Sequence, residues 1–285
     1  MIKFSVIIVS YNNLDLLKKC LASLYATHLD EMEIIIVDNN SDQNVIEFLE
    51  KQDEISLIKN TSNVGFGKAN NQAARLAKGQ FIVLLNNDTT VPKDFFEKAE
   101  LFFKKHTDFQ IMGPLVLSPD GLPQPTFYNN DYYRQLICPS FVFRKFVKTL
   151  SFGKDTSEKK ELLYKFSYKY SFVSTHEVDS LSGVCMFIKR DVYENIGLFD
   201  ENYFMYVEDL DFCLKVKRNN YKLAFSPEIM INHYIKEIKN KSSVSWYTYN
   251  NNIKYFFRKN FPWYINIIAQ PILSLKAFVK RFQTS

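Results

Sequence analysis

Asn86-Asn87-Asp88 follow directly on the apolar run Phe81-Ile82-Val83-Leu84-Leu85. A continuous apolar run that ends in amides and an acid predicts a strand buried on both faces. The C-terminal end of such a strand opens onto a site, because ligands of open α/β sheets bind along that edge. Asp88 is a hard oxygen donor suited to a divalent metal, and a metal held there would grip a diphosphate. The competing reading is a cap, in which Asp88-Thr89-Thr90 accepts from the first N–H groups of the next helix.

Two further polar clusters end apolar runs in the same way. Residues 4–9 are mostly β-branched and lead into Ser10-Tyr11-Asn12-Asn13, while residues 33–37 lead into Asp38-Asn39-Asn40-Ser41-Asp42. Between them, Leu14, Leu17, Leu21 and Leu24 recur at helical spacing, with Asn13 as the expected N-cap. A helix over 45–51 and a short strand over 55–58 come next. Asn63-Val64-Gly65-Phe66-Gly67 then opens a helix over 68–77 that Gly79 stops. Strands alternating with helices of this length predict βαβ units and a mostly parallel sheet.

In such a sheet Tyr11-Asn12, Asp38 and Asn87-Asp88 share one edge. Asp38 can accept from a ribose hydroxyl or a pyrimidine N–H, and the glycines of the Asn63 loop allow close backbone approach at a helix start. A local turn role is the alternative for Asp38. Gly65-Phe66-Gly67 is not a GxGxxG fingerprint and does not follow the first strand, so a Rossmann oxidoreductase fits poorly.

The chain has 285 residues, 46% hydrophobic and 24% charged, enough for one large domain with an extension. Its 17 Tyr and 26 Phe are the compositional outlier. A net charge of +5 suits a polyanionic ligand or an anionic membrane surface, and without a clustered basic face it gives no reason to expect nucleic acid. Cys20, Cys138, Cys185 and Cys213 lie far apart, which argues against a structural zinc site or a disulfide framework. Met1-Ile2-Lys3-Phe4 runs straight into a strand pattern without a signal-peptide h-region, so the expected location is cytoplasmic.

The ordered series of motifs resembles glycosyltransferase family 2 of the GT-A fold, in its rhamnosyltransferase-like branch. The resemblance is carried by residues 5–12, 37–42, 63–67 with Ala69-Asn70-Asn71, and 84–89. It continues through Ser182-Gly183-Val184-Cys185, Ile188-Lys189-Arg190, residues 197–201, residues 204–211 and His233. It implies an α/β GT-A fold, with a mostly parallel central sheet flanked by helices and a helical C-terminal extension. It also implies that Asp38 contacts the nucleotide base, in a pocket lined by Ser10, Tyr11, Asn12, Asn63, Gly65, Phe66, Asn70 and Asn87. Asn86-Asn87-Asp88 occupies the place of the family's Asp-x-Asp metal motif. Here Asn86 replaces the first acid, which leaves Asp88 as the carboxylate ligand for Mg²⁺ or Mn²⁺. The same resemblance gives His233 a metal- or diphosphate-contacting role, against the usual structural role of a lone histidine.

In the second half, Phe95, Phe96, Ala99, Phe102 and Phe103 form a core-facing helical stripe after Pro92 and Asp94. Residues 111–117 read as a strand turning at Asp120-Gly121. Residues 125–176, with Arg134, Arg144, Lys145, Lys148, Lys159 and Lys160, match no motif. They read either as a variable insertion or as a surface for a lipid-linked acceptor and its membrane. A strand over 185–188 and a helix over 191–196 follow, with Gly197 in the C′ position.

Glu208-Asp209-Leu210-Asp211 heads another helix. Acids there can simply complement the macrodipole, a reading that stays open for Asp211. Inverting glycosyl transfer needs one carboxylate to take the acceptor's proton, and Asp209 is the candidate. A metal neutralises the leaving diphosphate, so the paired carboxylates of a hydrolase are not required. Glu208, Asp211 and Gly183 are assigned to acceptor contact or support.

Lys236, Lys239 and Lys241 could meet the diphosphate, and residues 246–258 read as an aromatic-rich helix over the site. The tail from residue 261 carries aromatics, Ile and Leu, then Lys276, Lys280 and Arg281. Its uncharged run is broken by Pro271 and falls short of the ~20 residues a membrane span needs. An interfacial amphipathic segment at the inner face of the cell membrane and a helix packed on protein both remain open.

The expected organisation is a catalytic domain over 1–235 and a helical extension over 236–285. The nucleotide half of the catalytic domain covers about 1–118 and the acceptor half about 119–235. The expected function is an inverting, metal-dependent transfer of a rhamnose-type sugar or hexose. The donor is dTDP- or UDP-linked, the acceptor is a glycan or lipid-linked, and the setting is bacterial surface polysaccharide synthesis. The rival is a nucleotide-sugar binding module that has lost catalysis, with Asn86 as its motivation. No motif sets the oligomeric state.

Overall fold

The computed structural model describes residues 2–27, 30–128, 172–234 and 243–283. The basic residues at 134, 144, 145, 148, 159, 160, 236, 239 and 241 lie outside them.

Strands β1 (Phe4–Ser10), β2 (Met32–Asp38), β3 (Ile55–Lys59) and β4 (Phe81–Asn86) pair in parallel in the order β3-β2-β1-β4. Helices α1 (Leu14–Tyr25), α2 (Gln43–Leu49) and α3 (Phe66–Ala74) make the crossovers. The apolar runs of β1, β2 and β4 form strands buried on both faces, while β3 lies at the sheet edge and is only partly buried. Val6, Ile8, Ile34 and Ile36 point into one apolar layer with Leu17, Leu21, Phe95 and Phe102. Ile7 and Ile35 alternate into the opposite layer, with Ala69, Ala73, Phe212 and Val216.

Asn13 occupies the N-cap position of α1, but in the left-handed conformation and without a side-chain cap bond. The competing reading of Asp88-Thr89-Thr90 as a helix cap is also not what forms. Thr89–Thr90 is strand β5, and helix α4 (Phe95–Lys105) starts later, with Asp94 at its N-cap position.

The rest of the sheet is mixed. Strand β6 (Ile111–Leu117) is followed by β7 (Phe127–Tyr128), β8 (His176–Val178), β9 (Ser180–Leu181) and β10 (Cys185–Lys189), of which β7 and β9 pair with each other in a separate two-stranded sheet. Strand β10 runs antiparallel to β4 and to β6, and β11 (Leu223–His233) runs parallel to β6. Strand β11 also pairs antiparallel with β5, setting His233 opposite Thr89. Helix α5 (Arg190–Ile196) ends at Gly197 with φ 67°, as its C′ position requires. Helix α6 (Glu208–Arg218) follows.

The chain closes with α7 (Ser243–Asn260) and α8 (Trp263–Gln283). Ile253, Phe256, Phe257, Ala269 and Leu273 of this helix pair pack against Tyr203, Val207 and Leu210. The C-terminal helices therefore cover the segment that leads into α6.

Candidate active site

The parallel register sets Ser10 beside Asp38 and Val9 beside Asn86, so the three polar clusters do share one sheet edge. Asp38 is fully buried. One carboxylate oxygen accepts from the Ser41 N–H at 3.0 Å, and the other, Oδ1, has no hydrogen-bond partner among the described residues. The buried Ser10 hydroxyl is in the same state. Unsatisfied buried acceptors are costly in a folded chain, and a ligand N–H or O–H would satisfy both.

Asn12 adopts φ 58°, its N–H donates to Ser41 Oγ at 2.8 Å, and its side-chain oxygen receives the Asp42 N–H at 2.7 Å. The two loops are thereby tied together, with Tyr11 half-exposed above them. The Asn63 side chain caps the Gly65 N–H at 3.0 Å. Gly65 has φ 89°, and a Cβ there would lie 2.2 Å from the Phe204 carbonyl, which instead accepts from the Phe66 N–H at 2.9 Å. Gly65 thus lets the Asn63 loop touch the aromatic loop before α6. Phe66 packs on Phe199 and against Gly183. Asn70 is buried and donates back to the Phe66 carbonyl at 2.9 Å, a bond within its own helix.

From Asn86 the contacts lead across to the acids of α6. The Asn86 N–H donates to the Val184 carbonyl at 3.0 Å, and the next N–H back, that of Gly183, donates to Asp209 Oδ2 at 3.0 Å. The Leu210 N–H donates to Asp209 Oδ1 at 2.8 Å. Burial raises the Asp209 pKa above the ordinary aspartate value, although these N–H donors pull the other way. Glu208 is more deeply buried, and desolvation, with the Asp209 charge beside it, pushes its pKa up to about 8. Its Oε2 has no partner among the described residues. Both acids border a cavity of about 220 Å³ walled by Tyr128, Ser182, Tyr206, Tyr249 and Ile253. Helix α7 therefore contributes to the site, as an aromatic-rich helix over it.

Asp211 points the other way. Its oxygens receive Lys259 Nζ at 2.6 Å, Asn260 Nδ2 at 2.7 Å and the Tyr203 hydroxyl at 3.2 Å. Lys259 also binds Asp200 at 2.7 Å. Asp211 is thus a tie between α6 and the C-terminal helices. Lys259, Asn252 and Gln124 carry parts of this architecture but belong to no motif, and the sequence holds no spacing that would single them out.

At the far end of the edge, His233 Nε2 lies 3.1 Å from Asp88 Oδ1, the imidazole being almost wholly buried and the carboxylate partly open. The backbone holds the pair in place, with Tyr234 N–H on the Asp88 carbonyl at 2.8 Å. One carboxylate and one imidazole fit a divalent ion such as Mn²⁺ or Mg²⁺. No cluster of three or more His, Cys, Asp or Glu is gathered among the described residues, so the remaining positions would fall to water and substrate phosphate oxygens.

The family model of "Glycosyl transferase family 2" matches residues 5–197, more than half of the chain. The chain belongs to glycosyl transferase family 2.

Among curated relatives, a low-salt glycan biosynthesis hexosyltransferase of Haloferax volcanii is 26% identical over 228 residues, covering 77% of this chain and 63% of that protein. The chain thus spans less than two thirds of that relative's length. Rhamnosyltransferase WbbL of Escherichia coli K12 is 27% identical over 271 residues, 91% of this chain and 89% of its own. A crystal structure of GalNAc-T7 with UDP, GalNAc and Mn²⁺ matches with a TM-score of 0.61 at 16% identity, over 90% of this chain and 48% of that one. At that identity the likeness speaks for the fold, and the fold is GT-A, as the motif series implied.

Proposed function

We propose that this family 2 chain is an inverting, metal-dependent glycosyltransferase. It moves a rhamnose-type sugar or a hexose from a dTDP- or UDP-linked donor to a glycan or lipid-linked acceptor in surface polysaccharide synthesis. The observation that carries the reading is Asp209, held by two backbone N–H groups beside a cavity, with its pKa raised by burial. A carboxylate with a raised pKa is a better base near neutral pH.

In this mechanism the base of the donor nucleotide donates to the unsatisfied Asp38 oxygen. The acceptor occupies the cavity, its hydroxyl facing Asp209. As the acceptor oxygen attacks the anomeric carbon, its proton passes to the Asp209 carboxylate. The bond from that carbon to the diphosphate breaks on the opposite face, and the electron pair leaves with the nucleoside diphosphate. A divalent cation at Asp88 and His233 would neutralise that charge. Glu208, whose pKa burial and the Asp209 charge raise well above the ordinary carboxylate range, can hold a proton and donate it to the acceptor.

A thermal-shift screen of nucleoside diphosphate sugars, with and without Mg²⁺ or Mn²⁺, tests the donor side, since stabilisation grows with ligand concentration over Kd. Stabilisation by one donor is expected only with metal, and no response to any donor would falsify the reading. The rival module that binds without catalysis predicts stabilisation but no sugar transfer or donor hydrolysis.

Among the described residues no helix is long and apolar enough to cross a membrane. Trp263, Tyr264, Ile267, Ile268 and Leu275 of α8 are exposed, while Ala269 and Leu273 pack on the protein. The exposed stripe supports interfacial contact with the membrane that carries a lipid-linked acceptor. Ile267→Ser with Ile268→Ser should lower sedimentation with anionic vesicles; equal sedimentation of variant and wild type removes this contact from the proposal.

A further inference from the structure

The strand-like turn after β6 brings Gln124, far from His233 in sequence, onto its imidazole. Gln124 is 6% exposed, and its side-chain amide makes two bonds to one residue. Nε2 donates to the His233 backbone carbonyl at 2.9 Å, and Oε1 lies 2.8 Å from His233 Nδ1. The amide cannot be turned over. That would place its oxygen against the His233 carbonyl, two acceptors with no proton between them, and its NH₂ against the ring nitrogen.

The carbonyl therefore fixes the amide, and the amide fixes the ring. Because Oε1 only accepts, Nδ1 must carry a proton. In the neutral ring Nε2 is then a bare lone pair, and it faces Asp88 Oδ1, another acceptor, at 3.1 Å. Two acceptors held face to face by packed backbone call for a cation between them, either a proton that makes the pair an imidazolium–carboxylate bond or a metal ion in its place. The backbone holds them firmly, since His233 pairs with Thr89 in the β5–β11 ladder and the Gln124 N–H is bonded to Val116 in β6.

We propose that Gln124 is the positioning residue of the cation site, selecting the Nδ1–H tautomer of His233 and presenting its Nε2 lone pair to the ion shared with Asp88. The inference rests on the metal-dependent reading above and deepens it. Gln124 touches neither substrate nor ion, and acts through the imidazole alone. Removing an outer partner of this kind from a metal-bound histidine lowers metal affinity by about 10–100-fold.

Two measurements test it on the full chain. The first is the ¹⁵N spectrum of histidine-labelled, metal-free wild type at alkaline pH, with the His233 signals assigned by their absence in His233→Ala. Nδ1 should be the protonated nitrogen of the neutral ring, and an Nε2–H tautomer overturns the proposal without any Gln124 variant being made. The second is Mn²⁺ binding by electron paramagnetic resonance, for wild type, Gln124→Met and Gln124→Asn, the shorter amide serving if the first variant folds poorly. Affinity should fall about 10–100-fold in the variants. Wild type that binds Mn²⁺ no better than its variants refutes the positioning role and leaves the metal reading standing. Wild type that binds no Mn²⁺ overturns both.

Discussion

The proposed nucleotide side and the proposed acceptor side of this site are built in different ways. On the nucleotide side, Ser10, Asp38 and Asn86 each end a parallel strand, and neighbouring register places them together. Short local bonds shape the loops, such as Ser41 N–H to Asp38 and Gly65 N–H to Asn63. On the acceptor side, Asp209 depends on Gly183 from one segment, and the loop before it depends on the C-terminal helices. Tyr206 and Val207 both have positive φ, 72° and 77°, and Asn252 of α7 donates to the carbonyls of Met205 and Tyr206 at 2.8 and 3.0 Å. A β-branched residue in that region costs about 1–3 kcal/mol and persists only where its surroundings enforce it. One side is a property of the sheet. The other is held from outside, so damage to it should appear as lost stability as well as lost chemistry.

The sharpest break between the two sides is Asp209→Asn. The amide keeps the shape and the Leu210 N–H bond, but it cannot take a proton. Transfer should fall about 10²–10⁴-fold while donor affinity, set on the nucleotide side, stays within about twofold. Steady-state transfer rates alongside donor titrations separate the two quantities. Undiminished transfer would remove Asp209 as the base and leave the comparison without its chemical half.

Glu208→Gln probes the same side through pH. A carboxyl whose pKa rises on folding, here from 4.5 to about 8, favours the folded state while protonated. That stability is fully present below pH 4.5 and is lost as pH rises through about 8. The glutamine variant lacks this titration, so its Tm should gain on wild type as pH rises across that window. Parallel Tm curves would mean that Glu208 is not held protonated in the fold.

Lys259→Met tests the support from outside. It leaves Asp211, 3% exposed, with only the neutral donors Asn260 and Tyr203 among the described residues, and removes the Lys259 ion pair from Asp200. Lys259 is itself about one-third exposed, so the cost is set below that of a fully buried pair, at about 2–4 kcal/mol. Urea unfolding measures it. Stability within 0.5 kcal/mol of wild type, about the scatter of an ordinary surface change, would show that α7 does not brace α6 through this cluster.

The same contrast explains what could be read from the sequence. The four parallel strands were legible because each is a short, mostly β-branched or aliphatic segment closed by polar residues, and the loops they position came with them. Asp88 and His233 were joined in the sequence only through the family resemblance, and no spacing or periodicity shows their contact. Their meeting needs β5, a two-residue strand with no periodicity to see, laid against the end of β11. The reading of Thr89-Thr90 as a cap failed for that reason. Gln124 and Lys259 stayed hidden because neither lies on a strand end or in a motif, and each acquires its role only from partners remote in sequence. The antiparallel insertion of β10 between β4 and β6 was equally silent, since an apolar strand reads the same in either direction.

Asp38→Asn asks whether the sheet-built side is as self-sufficient as this contrast holds. Asp38 Oδ2 has one N–H donor in the fold and Oδ1 has none among the described residues. The amide oxygen can take over the Ser41 bond, so the fold loses little. The amide group then presents a donor where the proposed nucleotide contact calls for an acceptor. A hydrogen bond to a charged group contributes about 1.5–3 kcal/mol, which is roughly a 10–150-fold loss in donor affinity. Urea unfolding should move far less than for Lys259→Met. If instead the variant unfolds easily and binds donor normally, Asp38 is a local turn residue. The edge of the sheet would then need bracing of its own, and the distinction between the two sides would collapse.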